Sequence, residues 1–163
     1  MRETTGGPPK FACDAMLGGL ARWLRAAGYD ASWRADIDDW DLVRLALREE
    51  SVLLSSDTGI FRIGVVRDGE VAALFVPHGL GKCQQLGFVL KELGLRPLAP
   101  RCMTCGGALR ELPPEEARRQ VPARTFAWVN QFFECARCGR LFWPGTHWAR
   151  IADALRQAVP QAE

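Results

Sequence analysis

The stretch Lys10-Phe-Ala-Cys-Asp-Ala-Met-Leu-Gly-Gly-Leu-Ala-Arg-Trp-Leu-Arg25 decides the fold. Phe11, Ala12 and Cys13 form an apolar run too short for periodicity, and they read as a buried strand. Met16, Leu17, Leu20, Leu24 and Ala27 then recur at helical spacing. Asp14 stands at the junction. A carboxylate at a strand's C-terminal end, beside a helix N-terminus, occupies the place where open α/β sheets bind ligands and where backbone N–H groups attract phosphates. Arg22 and Arg25 line the same approach. A capping role for Asp14 and solvated positions for the two arginines explain this stretch equally well on their own.

A second acid leaves a second buried strand. Val52, Leu53 and Leu54 make a continuous apolar run of the kind a parallel strand shows, and Ser55, Ser56 and Asp57 follow it. Neighbouring strands lie about 4.8 Å apart, so carboxylates ending adjacent strands can share a metal ion. The first and third strands are therefore expected side by side. With right-handed crossovers this gives the order 2-1-3-4, with a topological switch point flanked by Asp14 and Asp57.

The segments between fit that frame. Gly28 is expected to end the first helix in a left-handed conformation, and Asp30 to Trp33 to form the second strand. Gly18 and Gly19 inside the helix point to close packing on the sheet. Asp36, Asp38, Asp39 and Asp41 precede a helix carrying Leu42, Val43, Leu45 and Ala46. Asp39 is read as its N-cap, and no more than two of the four acids as functional. Asp68-Gly69 between apolar residues predicts a small hairpin over Val65 to Val71. Ala72 to Val76 is a fourth strand, and Lys82 to Leu93 a helix with Cys83, Leu86, Leu90 and Leu93 on one face, closed by Gly94. Cys13 and Cys83 belong to the core, and His78 to a solvated loop.

Composition bounds the rest. The 163 residues have no run of about 18 apolar positions, and Met1 to Pro9 lacks the pattern of a signal peptide, so a cytosolic protein without a membrane span is expected. Six cysteines in that compartment point to metal or redox chemistry before disulfides. Residues 1–95 carry 11 basic and 13 acidic side chains, and 96–163 carry 10 and 6, all ten basic ones arginine. An arginine-rich tail suits a nucleic-acid partner, although four zinc-bound thiolates would halve its excess charge.

The tail holds the clearest motif. Cys102 and Cys105, then Cys135 and Cys138, form two C-x-x-C pairs, each followed by glycine. The pattern predicts a zinc ribbon with one closed, structural zinc site, and the 29 residues between pairs require an insertion, read as a short helix after Pro114. Phe132, Phe133, Leu141, Phe142 and Trp143 predict a hairpin with an aromatic core. Thr146 is read as the cap of a last helix bearing Trp148, Ile151, Ala152 and Leu155, which docks the ribbon on the first domain; His147 at its start is not read as a ligand. The division is a lead-in at 1–9, a sheet domain at 10–96, a ribbon at 97–145 and a docking helix at 146–163.

Together these motifs resemble the mut-seven C-terminal RNase family, a PIN-like nuclease domain followed by a zinc ribbon. The resemblance rests on Phe11-Ala-Cys-Asp14-Ala-Met-Leu17 running into Leu20-Ala-Arg-Trp-Leu-Arg25, Gly28-Tyr-Asp30, Asp39 before the second helix, Leu53-Leu-Ser-Ser-Asp57, Gln85-Leu86, both C-x-x-C pairs, and Phe142-Trp-Pro-Gly-Thr-His-Trp148. It implies a three-layer α/β sandwich, and Asp14, Asp39 and Asp57 holding Mg²⁺ or Mn²⁺ for hydrolysis of RNA, with Arg22 and Arg25 positioning the strand. The family pattern Thr-Arg-Asp is Ser55-Ser56-Asp57 here, so one arginine is missing. The alternative is a non-catalytic adaptor that keeps the fold and binds nucleic acid or, through the ribbon, a protein.

Overall fold

The computed structural model describes residues 6–159, the side chains of 146–148 excepted. Four short strands, β1 (Phe11–Cys13), β2 (Ala31–Trp33), β3 (Val52–Ser55) and β4 (Ala73–Phe75), form a parallel sheet in the order β2-β1-β3-β4. This is the order that the two strand-end acids require. Successive side chains of the central strands point to opposite faces, as strand geometry dictates. Phe11, Cys13 and Leu54 join one core with Leu20, Leu24, Leu86 and Leu90, whereas Ala12 and Leu53 join another with Leu42, Val43, Ala46 and Ile60. Both faces are covered, which is why the strands read as unbroken apolar runs.

The first face is covered by helices α1 (Gly18–Ala26) and α4 (Lys82–Glu92), the second by α2 (Asp39–Glu49) and a four-residue turn of helix, α3 (Gly64–Arg67). A 3₁₀ turn, Ala15–Leu17, links β1 to α1. Gly18 is the residue that lets β2 reach this corner: a Cβ there would stand 2.7 Å from the Trp33 indole. Gly28, with φ +93°, reverses the chain after α1.

Over residues 65–71 the structure departs from the expected hairpin. Gly64–Arg67 is helical, and Asp68-Gly69 terminates it: the Asp68 N–H donates to the Gly64 carbonyl at 2.8 Å, and Gly69 takes φ +78°. A left-handed glycine serves a helix end as well as a hairpin. The parallel pairing of β3 and β4 settles which is used, because it needs a crossover over one face, and α3 supplies it by burying Val66 beside Val71.

The tail forms a second, antiparallel sheet of β5 (Leu109–Leu112), β6 (Phe132–Cys135) and β7 (Leu141–Phe142) in the order β5-β6-β7. The insertion between β5 and β6 carries α5 (Pro114–Ala117), which starts at the proline, and α6 (Ala123–Phe126). Its core is small. Leu112, Ala117, Val121 and Phe132 are buried, with Phe126 stacked on Phe132 and Trp143 edge-on to it. The last helix, α7 (Thr146–Ala158), has Gly145 as its N-cap, not Thr146. It lies on α4, where Leu155, Ala158 and Val159 add to the first core and the Cys83 thiol meets the Ala154 carbonyl. The side-chain roles of Thr146, His147 and Trp148 lie outside the described residues, as do positions 1–5. No helix among the described residues is long and apolar enough to cross a membrane.

Candidate active site and metal centre

Asp14 leaves β1 at the switch point. Its N–H extends the ladder to Leu54 at 3.0 Å, and its carboxylate turns back to accept from the Ala15 N–H at 2.7 Å, capping the 3₁₀ turn. Its second oxygen accepts from the Ser55 hydroxyl at 2.6 Å, and the Ser55 oxygen in turn accepts from the Asp57 N–H at 2.9 Å. Ser55 therefore ties the ends of the two central strands into one unit. Asp14 is 5% exposed, while Asp57 is exposed and its Oδ1 accepts from the Gly59 N–H at 2.8 Å. One acid anchors the floor and the other faces solvent.

The third acid comes from α2, by a different device from the one expected. Asp38, not Asp39, caps the helix, accepting from the Asp41 N–H at 2.8 Å. The cap lies one residue earlier because Asp38 holds the extended conformation a cap needs, and Asp39 becomes the first helical residue. This frees the Asp39 carboxylate. Burial first, then the charges of Asp14, Asp57 and Asp38, push its pKa above the ordinary carboxylate range. Asp39 thus shares one field with Asp14 and Asp57.

The four tail thiols form a second centre. Cys102, Cys105, Cys135 and Cys138 have Sγ atoms all within 4.8 Å of one another, with Cys102 to Cys138 at 3.7 Å and Cys105 to Cys135 at 3.5 Å. A tetrahedral site with metal–sulfur bonds of about 2.3 Å has edges of about 3.8 Å, so the set can hold a metal ion such as zinc. Gly106 (φ +82°) and Gly139 (φ +72°) turn the two knuckles. Gly107 donates its N–H to the Cys105 sulfur, and Arg137 and Cys138 donate theirs to Cys135. Against the penalty of burial, the N–H groups of Cys138 and Arg137 hold the Cys135 thiol down to about 6, while burial pushes Cys105 up to about 12. Four thiolates this close need a cation to ionise together. Cys13, by contrast, is raised to about 12 by burial and is an inert part of the core.

Arg25, expected to position the strand at the acidic site, points instead to β2 and the ribbon. The side chain is buried, donating from Nε to the Ala31 carbonyl at 2.8 Å and from Nη1 to the carbonyls of Met103 and Thr104, both at 3.0 Å. Burial lowers its pKa, and the guanidinium keeps its charge by satisfying carbonyls of the first zinc knuckle. Its job is to clamp ribbon to sheet domain. Arg25→Met should destabilise the protein by about 2–4 kcal/mol, because buried acceptors lose charge-assisted bonds. Denaturant unfolding measures this, and no loss of stability would return Arg25 to a substrate role.

Residues 9–155 match the family described as Mut7-C RNAse domain. The chain belongs to that family. No curated protein and no solved structure matches it. The match spans both the sheet with its acids and the ribbon with its thiols. Ser56 turns its hydroxyl to the Val76 carbonyl at 2.7 Å and adds no charge to the site. Arg22 is exposed one turn into α1. Two residues of this Mut7-C domain escaped sequence reading. Ser55, fully buried, was legible only as the end of a strand, and Lys82 only as a helix start. Lys82 lays its stem across Gly19, where a Cβ would stand 2.6 Å from it, and this brings a cation to the start of α1.

Proposed function

We propose that this domain hydrolyses RNA phosphodiester bonds with one or two divalent ions held by Asp14, Asp39 and Asp57. The observation that carries the reading is the hydrogen-bond chain from Asp14 through Ser55 to Asp57 at the switch point, with Asp39 near enough to feel both charges. Among the described residues none of the three is in a salt bridge. Carboxylates are the ligand type that hard cations take. Mg²⁺ or Mn²⁺ bound there would acidify a water and neutralise charge on the scissile phosphate. The protein's own part is positional: Ser55 fixes the Asp14 carboxylate, Gly59 fixes Asp57, and Arg22 and Lys82 offer positive charge to the RNA backbone. The four tail cysteines hold one zinc ion as thiolates in a structural role, with no open position for chemistry, and a reducing cytosol keeps all six cysteines out of disulfides.

The test is cleavage of single-stranded RNA with and without Mg²⁺ or Mn²⁺. Activity should vanish in chelator and rise with pH through the Asp39 pKa, because a protonated carboxyl cannot ligate. The sign for stability is opposite. A carboxyl whose folded pKa is raised favours the fold at low pH and loses that contribution as pH rises through it, so added divalent ion should restore stability on the alkaline side. A second reading, a binding adaptor without activity, draws on Ser56, which leaves the phosphate without the family's arginine. RNA binding with no metal-dependent cleavage would select it.

A further inference from the structure

The nuclease reading leaves unexplained a groove of about 570 Å³ that runs along the edge strand β2, between α2 and the first zinc knuckle. Its α2 wall is formed by Asp41, Arg44, Leu45 and Arg48, with Ile37 just before the helix, while Leu42, Val43 and Ala46 are buried in the core. Its opposite wall is Thr104 and Cys105, held in place by Arg25. Trp33 and Arg34 close the end nearest the acids, since Trp33 stands level with Cys13 in the β1–β2 register, one residue short of Asp14.

Three arginines with exposed heads, Arg34, Arg44 and Arg48, thus line the groove. Each has a carboxylate neighbour, Arg44 with Asp41 at 2.9 Å, Arg34 with Asp36 at 3.8 Å and Arg48 with Glu49 at 3.7 Å. These pairs are exposed, and such pairs contribute little, so a phosphate can take the guanidinium over. The Trp33 ring is fixed in a way an ordinary exposed tryptophan is not. Its indole N–H donates to the Ala15 carbonyl at 2.9 Å and its edge rests against Gly18, yet it remains 38% exposed and lines the groove. A second exposed indole, Trp40 at 59%, stands one turn before Arg44. Fixed aromatic faces beside arginines are how proteins hold single-stranded nucleic acid, by stacking bases and tracking phosphates.

We infer that this groove is the track along which single-stranded RNA reaches the acidic site, with phosphates on Arg34, Arg44 and Arg48 and a base stacked on Trp33. The inference rests on the nuclease reading for its substrate class and not for its geometry. It gives the ribbon a direct part in substrate binding, because the knuckle is a wall of the track. A duplex cannot offer an unstacked base to Trp33, so the track discriminates by strandedness rather than by sequence.

Binding of the zinc-loaded full chain to a labelled 12-nucleotide poly(U) strand, and to a blunt RNA duplex of equal length, tests this without cleavage if measured in Ca²⁺. The single strand should bind more tightly. Arg44→Ala with Arg48→Ala should weaken it and flatten the salt dependence by about 0.7 in log–log slope for each arginine that meets a phosphate. Trp33→Leu should weaken it about 5- to 100-fold, the range for loss of one stacked base. Trp33→Phe should restore most of that loss although it cannot donate to Ala15, which separates stacking from support of the acid site, and an abasic strand should not distinguish the three. Equal affinity of all variants, preference for the duplex, or no RNA binding would overturn the track. Groove-dependent binding without metal-dependent cleavage would keep the track and remove the nuclease reading, whereas cleavage with groove-independent binding would do the reverse.

Discussion

Asp14→Asn is expected to abolish RNA cleavage while leaving the fold in place. Asparagine caps a helix or turn as well as aspartate, so the bond from Ala15 can be kept, and the shape of the side chain is unchanged. What is lost is charge. The Ser55 hydroxyl would donate to a neutral amide oxygen instead of a carboxylate, at a loss of about 1 kcal/mol. Losing a metal-bearing carboxylate removes several kcal/mol of charge stabilisation, and each 1.4 kcal/mol is tenfold in rate, so cleavage should fall by at least about 100-fold. Two side effects identify the mechanism. Asp39 should titrate lower in the variant, because one of the charges that raises its pKa is gone. RNA affinity should hold or rise, since repulsion toward phosphate has been relieved. Single-turnover cleavage, carboxyl titration by NMR and a thermal melt read the three separately. Cleavage at the wild-type rate in a folded variant would move the chemistry away from this site.

Much of the sheet was legible because its signal is local and redundant. Three apolar residues with an acid at or just past the strand end, twice, set both the strands and their adjacency, and the structure pairs β1 with β3 as that required. The thiol centre was legible for the same reason, since its ligands come as two short motifs whose knuckles are local turns. What was not legible depended on contacts remote in sequence or on competition between equals. Asp68-Gly69 serves a hairpin and a helix end alike, and only the crossover between β3 and β4 chooses. Asp38 and Asp39 are both good caps, and backbone geometry one residue apart decides which acid is free.

Arg25 shows the limit more sharply. Within α1 it looks like any surface arginine beside Arg22, and nothing nearby in sequence marks it for burial. Its partners, the carbonyls of Met103 and Thr104, lie 78 and 79 residues away and carry no side-chain signal at all. Arg22, three residues earlier, remains exposed. A helical wheel separates the two poorly, since the buried face of α1 is set by the sheet on one side and by the knuckle on another.

Removing a zinc ion held by the four tail thiols should have the largest effect on the molecule, and an uneven one. The ribbon buries only Leu112, Ala117, Val121 and Phe132 in its own core, too few apolar residues to offset the chain entropy of its segment. Structural zinc contributes about 10–16 kcal/mol in comparable small modules, so chelation, or Cys135→Ser, should unfold the ribbon outright. The sheet domain has two cores of its own and should persist, weakened where it leans on the knuckle. Arg25 would lose its bonds to Met103 and Thr104, and Asp30 its ion pairs with Arg101 and Arg137. Hydrogen exchange distinguishes the parts. The amide of Ala136, bonded to Ala108 across the ribbon, should lose protection first, while those of α1 and of β1 keep most of theirs. α7 should follow the sheet domain, because Leu155, Ala158 and Val159 pack on the first core beside α4. If ribbon and sheet lose protection together at one chelator concentration, the two modules fold as one, and the clamp at Arg25 would then be the reason.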